Sequence, residues 1–329
     1  MRKRRLFLAA GACVATLALA VGTAVADPDV GPPPYRPVEG SGAQTTQGVM
    51  NDLCNNIIVN GSGNPICASY DIDPQPSNIT TRDPATTPGC TFSRPNSGGP
   101  GFDALIAHPT CLDFARVVTS TDSGTRPVGF AYIPLATDAL TYAVRGDSTV
   151  PLDLDAATLK RIYQCDPALT FPSNPGGFKP LLGVFGAGNR TLFFSKLGIT
   201  DSATYTTANP CVHDGFLAND GRVLTDPRQL ITYSSAPYLA QINQVEPDIH
   251  GSAILGSING ISPEVLNVSS FIARTVYNVV RNTDADGTGA VHDLFIGPSS
   301  QVCSNVTAIE RHGFTRVANC GDKTLRTTN

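Results

Sequence analysis

Several things are missing from this chain of 329 residues. Beyond residue 25 no stretch approaches the roughly 18 uninterrupted apolar residues of a membrane helix, so no later span is read. No C-x-x-C pair occurs and the five histidines (His108, His213, His250, His292 and His312) are scattered, which leaves zinc without a ligand set. A G-x-S-x-G elbow, an H-E-x-x-H helix and a P-loop lysine motif are all absent, and the histidines have no local acid or nucleophile partner. The chain is therefore read as a non-enzyme without cofactor or metal. No internal repeat is found.

What is present begins with an export signal. Arg2, Lys3, Arg4 and Arg5 precede an uncharged run over 6–25, and Ala24-Val25-Ala26 is a small-residue cleavage site before Asp27. Residues 1–26 are expected to be a signal peptide, with the mature chain secreted and starting near Asp27. Arg4-Arg5-Leu6-Phe7-Leu8 fits both an ordinary basic leader and a twin-arginine leader. Loss of 1–26 removes four basic residues and leaves 19 Lys+Arg against 27 Asp+Glu, a net charge of −8. Nucleic acid and anionic membrane surfaces are poor partners for such a chain. Of nine cysteines Cys13 leaves with the signal, and the remaining eight are an even set of the kind that forms disulfides outside the cell. Eight cysteines allow many connectivities; pairing neighbours in order (54 with 67, 90 with 111, 165 with 211, 303 with 320) closes four modest loops and is the expectation.

Residues 27–40 form a Pro-rich, flexible exit. Helical spacing runs over 47–58, where Thr45 or Thr46 is placed to cap, over 155–163 after the Asp153/Asp155 pair, and within 299–312. Strand-like runs occupy 113–118, 128–134, 141–144, 181–185, 229–235, 250–255 and 271–281. The stretch 282–293 has the length of a calcium loop, but Asn282, Gly289 and Asp293 do not suit its first, eighth and twelfth places, and a polar hairpin turn is the other reading.

Two short stretches carry the chemistry. Residues 92–105 (F-S-R-P-N-S-G-G-P-G-F-D-A-L) and 185–194 (F-G-A-G-N-R-T-L-F-F) each bring glycines and an arginine to a helix start. Glycine lets backbone N–H groups approach a ligand closely, and a helix N-terminus adds about half a positive charge aimed at the same point. Two such cradles about ninety residues apart imply a ligand gripped between two lobes.

These stretches, with 42–51, Asp113-Phe114-Ala115-Arg116, 130–144, Leu159-Lys160-Arg161-Ile162-Tyr163, 186–198 and Tyr277-Asn278-Val279-Val280, resemble the phosphate-type substrate-binding proteins of the type II periplasmic-binding-protein class. The resemblance spans most of the mature chain in order. It implies an α/β, two-lobed type II periplasmic-binding-protein fold with mixed sheets flanked by helices and lobes joined by two crossing segments. Lobe 1 is expected at 41–135 and 250–325, and lobe 2 at 136–249. It also implies a small inorganic or phosphorylated anion as ligand, phosphate above all, and an ABC-transporter membrane component as partner.

Departures from the family's pattern fall on its loops. Where relatives read G-S-D-T-T-Q, this chain has Ala43 and Gln44; where they carry serines or an aspartate after F-A-R it has Val117 and Val118; and their S-G-T-R becomes Ala187-Gly188-Asn189-Arg190. Each lost hydrogen bond to a charged ligand is worth about 1.5–3 kcal/mol, so these replacements argue against tight phosphate binding. The retained ligand-binding candidates are Ser93, Arg94, Asn96, Ser97, Gly98 and Gly99 in one lobe, Gly188, Asn189, Arg190 and Thr191 in the other, and Thr45 and Thr46 at the first loop. Arg94, Arg116 and Arg190 read equally as salt-bridge residues. If Arg190 binds ligand, Arg190→Ala is expected to abolish ligand protection and leave the melting temperature of the empty protein unchanged. Ser123-Gly124-Thr125-Arg126 reads as a surface turn. The alternative function is a degenerate binding-protein fold used for surface, adhesion or cell-envelope contacts.

Overall fold

Sixteen consecutive residues, Phe130–Arg145, form one strand that crosses the whole molecule. The structure, a computed structural model, describes residues 27–28, 34–73, 77–120, 125–169, 171, 176–263 and 271–328. The expected signal peptide, part of the Pro-rich exit and Ser123-Gly124 lie outside these. Among the described residues no helix is long and apolar enough to cross a membrane.

The strands in chain order are β1 (Val38–Gly42), β2 (Cys67–Ser69), β3 (Asn78–Thr80), β4 (Thr91–Ser93), β5 (Phe114–Val117), β6 (Phe130–Arg145), β7 (Asp153–Leu154), β8 (Lys179–Leu181), β9 (Gln229–Ser234), β10 (Ala253–Leu255), β11 (Ser257–Ile258), β12 (Ala273–Arg281) and β13 (Thr315–Arg316). A nine-stranded mixed sheet runs β2-β1-β5-β12-β6-β9-β8, with β10 and β13 also on β6. Helices cover its faces, as the α/β expectation requires. β6 and β12 are antiparallel and are the two crossing segments: β12 pairs with β5 at one end and stays on β6 from Phe130 to Ala139.

The period of two along β6 shows how one strand serves two lobes. Ala131, Ile133 and Leu135 enter a core with Val49, Met50, Leu53, Phe114, Leu294 and Phe295. Phe130 and Tyr132 face the opposite side, against Phe102, Leu105 and Val279. Past the midpoint Leu140, Tyr142 and Val144 join Leu159, Ile162, Phe193 and Phe194, while Ala139 and Ala143 pack with Ile231 and Tyr233. β10 and β11 add Ala253, Leu255 and Ile258 to these last two cores.

Sequence reading divides β6 in two because Ala136-Thr137-Asp138-Ala139 has little strand preference. The pairing of Ala136 with Val276 and of Asp138 with Arg274 closes the gap, with a register shift at Val276/Tyr277 beside Pro134. Proline has no N–H for the ladder, so it falls where the ladder is irregular. The helix expected over 47–58 is α-helical only for Gln47–Asp52 and continues as a wider turn over Leu53–Ile57. Neither threonine caps it: no side-chain cap is made, and the buried Thr46 hydroxyl has no partner. Asp155 does cap its helix, accepting from the Thr158 N–H. Residues 282–293 are neither a calcium loop nor a hairpin: Asn282–Asp286 and Ala290–Phe295 are short helices.

All four neighbour-in-order disulfides are formed: Cys54–Cys67, Cys90–Cys111, Cys165–Cys211 and Cys303–Cys320, with Cα separations of 4.9–5.8 Å. They close loops of 13, 21, 46 and 17 residues, and a cross-link restricts the unfolded chain more the longer the loop it closes.

Candidate functional site

The end of β1 fixes the first wall of the site. Gly42 has φ +132°, and a Cβ there would lie 2.3 Å from the Arg116 carbonyl oxygen, so only glycine fits. The chain then turns through Ala43, Gln44 and Thr45. Arg116 holds this turn from below: its Nε donates to the Ala43 carbonyl at 3.1 Å, its Nη2 to those of Gly42 and Tyr70, and its Nη1 to the Ser69 hydroxyl. Complete burial pushes the guanidinium pKa down to about 10. Arg116 is a strut for the loop.

Two ten-residue helices supply the other walls. Gly98–Ala107 starts after Ser97 and Gly188–Leu197 after Ala187, and neither has a side-chain cap, so their first N–H groups stay open. Glycines allow both to approach closely: a Cβ on Gly101 would meet the Gly42 Cα at 2.5 Å, and one on Gly188 would lie 2.4 Å from Val118 Cγ2. The Gly188–Val118 contact joins the two lobes. So do a hydrogen bond from the Thr45 hydroxyl to the Asn189 carboxamide oxygen at 3.3 Å and one from the Gln44 carboxamide to Asn219.

These elements enclose a cavity of about 310 Å³ between the lobes. Thr45, Asn96, Ser97, Gly98, Gly188 and Asn189, all expected from the sequence, line it. Ser97 is 92 % buried there, and its hydroxyl has no protein partner. Ala43, Gln44, Val118 and Ala187, read from the sequence as replacements in the ligand loops, also line it. Ile72, Val184, Phe216 and Leu217, which are apolar, were not anticipated, nor was Asp73, which contributes a carboxylate whose pKa burial raises, an effect that Arg94 partly offsets.

The other expected residues stand outside this lining. Ser93 and Thr191 are exposed, Gly99 is half-buried in its helix, and Thr46 is buried beneath the loop. Arg94 receives the Asp27 carboxylate on both terminal nitrogens, 2.7 Å at Nη2, and also bonds the Ser77 hydroxyl and the Asp71 carbonyl. Arg190, 1 % exposed, pairs with Asp201 at 2.8 Å and Asp214 at 2.8 Å and lies over the rings of Phe185 and Phe194. Burial pulls its pKa down, yet the two carboxylates raise it overall.

Sequence reading also missed Asp138 and Arg274, which form a buried ion pair at 2.7 Å on the crossing strands behind the cleft. Asp138 further accepts from the Ser234 hydroxyl at 2.5 Å and the Ala236 N–H at 3.0 Å, and Arg274 reaches Thr45 at 3.3 Å. The pair ties the first-lobe loop to the second-lobe β9 end. The readable signal is an aspartate inside an apolar run, since a buried charge needs a partner.

No protein-family model matches the chain, and no curated protein matches it. Solved structures do. A putative phosphate ABC transporter substrate-binding protein from Clostridium perfringens, with bound phosphate, is 14 % identical and aligns over 85 % of this chain and 99 % of its own, with a TM-score of 0.57. An ABC-type phosphate transport receptor from Vibrio cholerae is 14 % identical over 85 % of this chain and all of its own, with a TM-score of 0.56. The fold is thus similar to that of phosphate-type periplasmic binding proteins, as the sequence resemblance implies. At this identity the likeness concerns the fold alone.

Proposed function

We propose that the chain is a secreted solute-binding protein that closes two lobes on a small oxyanion, phosphate or a phosphate-like group, and does no chemistry on it. The observation that carries this reading is the partnerless Ser97 hydroxyl beside the uncapped start of Gly98–Ala107, in one cavity with the uncapped start of Gly188–Leu197. Open N–H groups and helix dipoles favour negative charge, and acceptor oxygens would satisfy both lobes at once. Thr45 and Asn189 already meet across the cleft, so a ligand bonded to them and to Ser97 stabilises the closed arrangement and shifts the population toward it. Bound phosphate in the Clostridium perfringens neighbour supports the ligand class, and four disulfides support export. Delivery to an ABC-transporter membrane component completes the proposal.

Arg94 and Arg190 have structural roles in this reading, and binding rests on neutral donors. A second reading is favoured by that same engagement of the arginines and by Val118: a cleft that no longer takes phosphate, on a fold used for cell-envelope contacts. Calorimetric titration of the chain from Asp27, freed of ligand by unfolding and refolding with disulfides intact, separates the two. Micromolar or tighter binding of phosphate over sulfate supports the first; no heat and no melting shift at millimolar phosphate discards phosphate as the ligand and moves the search to other ligands or to surface partners.

A further inference from the structure

The cavity lining is uneven in a way that an inorganic oxyanion does not use. Donors gather at the helix starts: the Ser97 hydroxyl, the open N–H groups of Gly98 and Gly188, and Thr45. The Gln44, Asn96 and Asn189 carboxamides and the Asp73 carboxylate also line the cavity; its apolar part is Ile72, Val118, Val184, Phe216 and Leu217, and no lysine or arginine among the described residues lines it. Phosphate presents oxygen in every direction, so its far side would face apolar side chains and lose its hydration without replacement. It also fills only a fraction of about 310 Å³, a volume at the lower end of those for organic ligands, roughly 300–1,000 Å³.

We infer that the occupant is an organic oxyanion: a phosphonate or phosphate-ester head at the two helix starts, with a short alkyl or aryl tail against the Val118, Val184, Phe216 and Leu217 wall. The inference rests on the oxyanion reading above and names the ligand within it. A phosphonate or monoester head keeps a charge between about −1 and −2, like phosphate, but carries carbon where phosphate has its fourth free hydroxyl, so one oxygen fewer needs a polar partner and the apolar wall turns from a cost into a contact. Val118 is the residue that decides the preference. It sits against Gly188 Cα, next to the head, where a hydroxyl would serve a fourth oxygen and a methyl group serves carbon.

The test is calorimetric titration of the ligand-free chain from Asp27 with phosphate, sulfate, and methyl-, ethyl-, propyl-, butyl- and phenylphosphonate. Binding is expected to tighten about three- to fourfold per added methylene, following burial of apolar surface. Val118→Ser is expected to shift preference back toward phosphate and flatten the chain-length series; because Val118 also belongs to the first-lobe core, its melting transition is expected to be lowered but still cooperative, which confirms its fold. Phosphate binding together with phosphonate binding that weakens or stays level as the tail grows overturns the inference and leaves the oxyanion reading intact. Silence from every probe, phosphate included, overturns both.

Discussion

The Thr45 hydroxyl donates to the Asn189 carboxamide oxygen at 3.3 Å, so the loop after β1 and the first turn of Gly188–Leu197 meet directly across the cleft. Thr45 in turn accepts from Arg274 on β12, which places the crossing strands, both lobes and the cavity wall in one hydrogen-bonded set. Asn189→Ala removes one partner of a single neutral bond. Apo stability is expected to change by less than about 1 kcal/mol, and oxyanion affinity to fall about fivefold or more, as one hydrogen bond is lost from the closed form. Urea unfolding and calorimetric titration measure the two; a large stability loss with unaltered affinity contradicts a cleft role.

Arg190 tells a different story from the one its loop implies. Arg190→Ala strips Asp201 and Asp214 of their shared cation, and removal of one partner of a buried pair costs on the order of 3 kcal/mol. The expectation that this variant leaves the empty protein's melting temperature unchanged is therefore reversed: a clear drop is expected before any ligand is added, and differential scanning calorimetry reads it directly.

Asp138 and Arg274 are expected to behave as a unit. Asp138→Ala leaves a 4 % exposed guanidinium with only the Thr45 and Ser234 hydroxyls to hold it and is expected to cost about 3–5 kcal/mol, whereas Asp138→Leu with Arg274→Met recovers much of the loss, because paired replacement removes the desolvation cost of both charges. Urea midpoints of the single and double variants give the comparison, and additive losses would rule out coupling.

His312, 1 % exposed, donates or accepts at both ring nitrogens: Nδ1 lies 2.9 Å from Glu246 and Nε2 lies 3.3 Å from Asp52. Burial works to lower its pKa, but the two carboxylates hold it above the ordinary 6.5. Asp52 is held below its ordinary value, chiefly by the same hydrogen bond. A raised folded value means the imidazolium's contribution is complete below about pH 6.5 and is lost as pH rises through that folded value; the depressed Asp52 contributes above about pH 4 and loses its share only in acid. Unfolding free energy is therefore expected to decline from pH 6 to pH 8.5, and His312→Gln to remove that decline. Denaturant midpoints at both pH values in both chains provide the check, and equal slopes would exonerate His312.

Much of this was legible along the chain because it is local. Short apolar alternation marks β5, β9 and the outer parts of β6, and the glycine-rich stretches mark two helix starts. Cys54 to Cys67 and its three counterparts pair with near neighbours, so order along the chain sufficed. The cavity's character was not legible. Val118 reads along the chain only as a lost hydroxyl until Gly188, seventy residues later, is laid against it; Arg94 reads as either a cradle or a salt-bridge arginine until Asp27 takes its guanidinium.

The sequence by itself determined the export-type even cysteine set and the two glycine-rich helix starts, since spacing and backbone permissiveness act over a few residues; the two-lobed α/β plan came from the family resemblance, and the pairing of neighbouring cysteines was one of many connectivities the sequence allowed. Tertiary structure alone decided which donors are open. Both arginines among the expected ligand groups are met by carboxylates, Arg94 by Asp27 and Arg190 by Asp201 and Asp214, and charge pairing in space has no counterpart in hydrophobic periodicity; among the described residues, what stays unpaired in the cleft are the Ser97 hydroxyl, the Asn96 carboxamide, uncapped backbone N–H groups and an apolar wall.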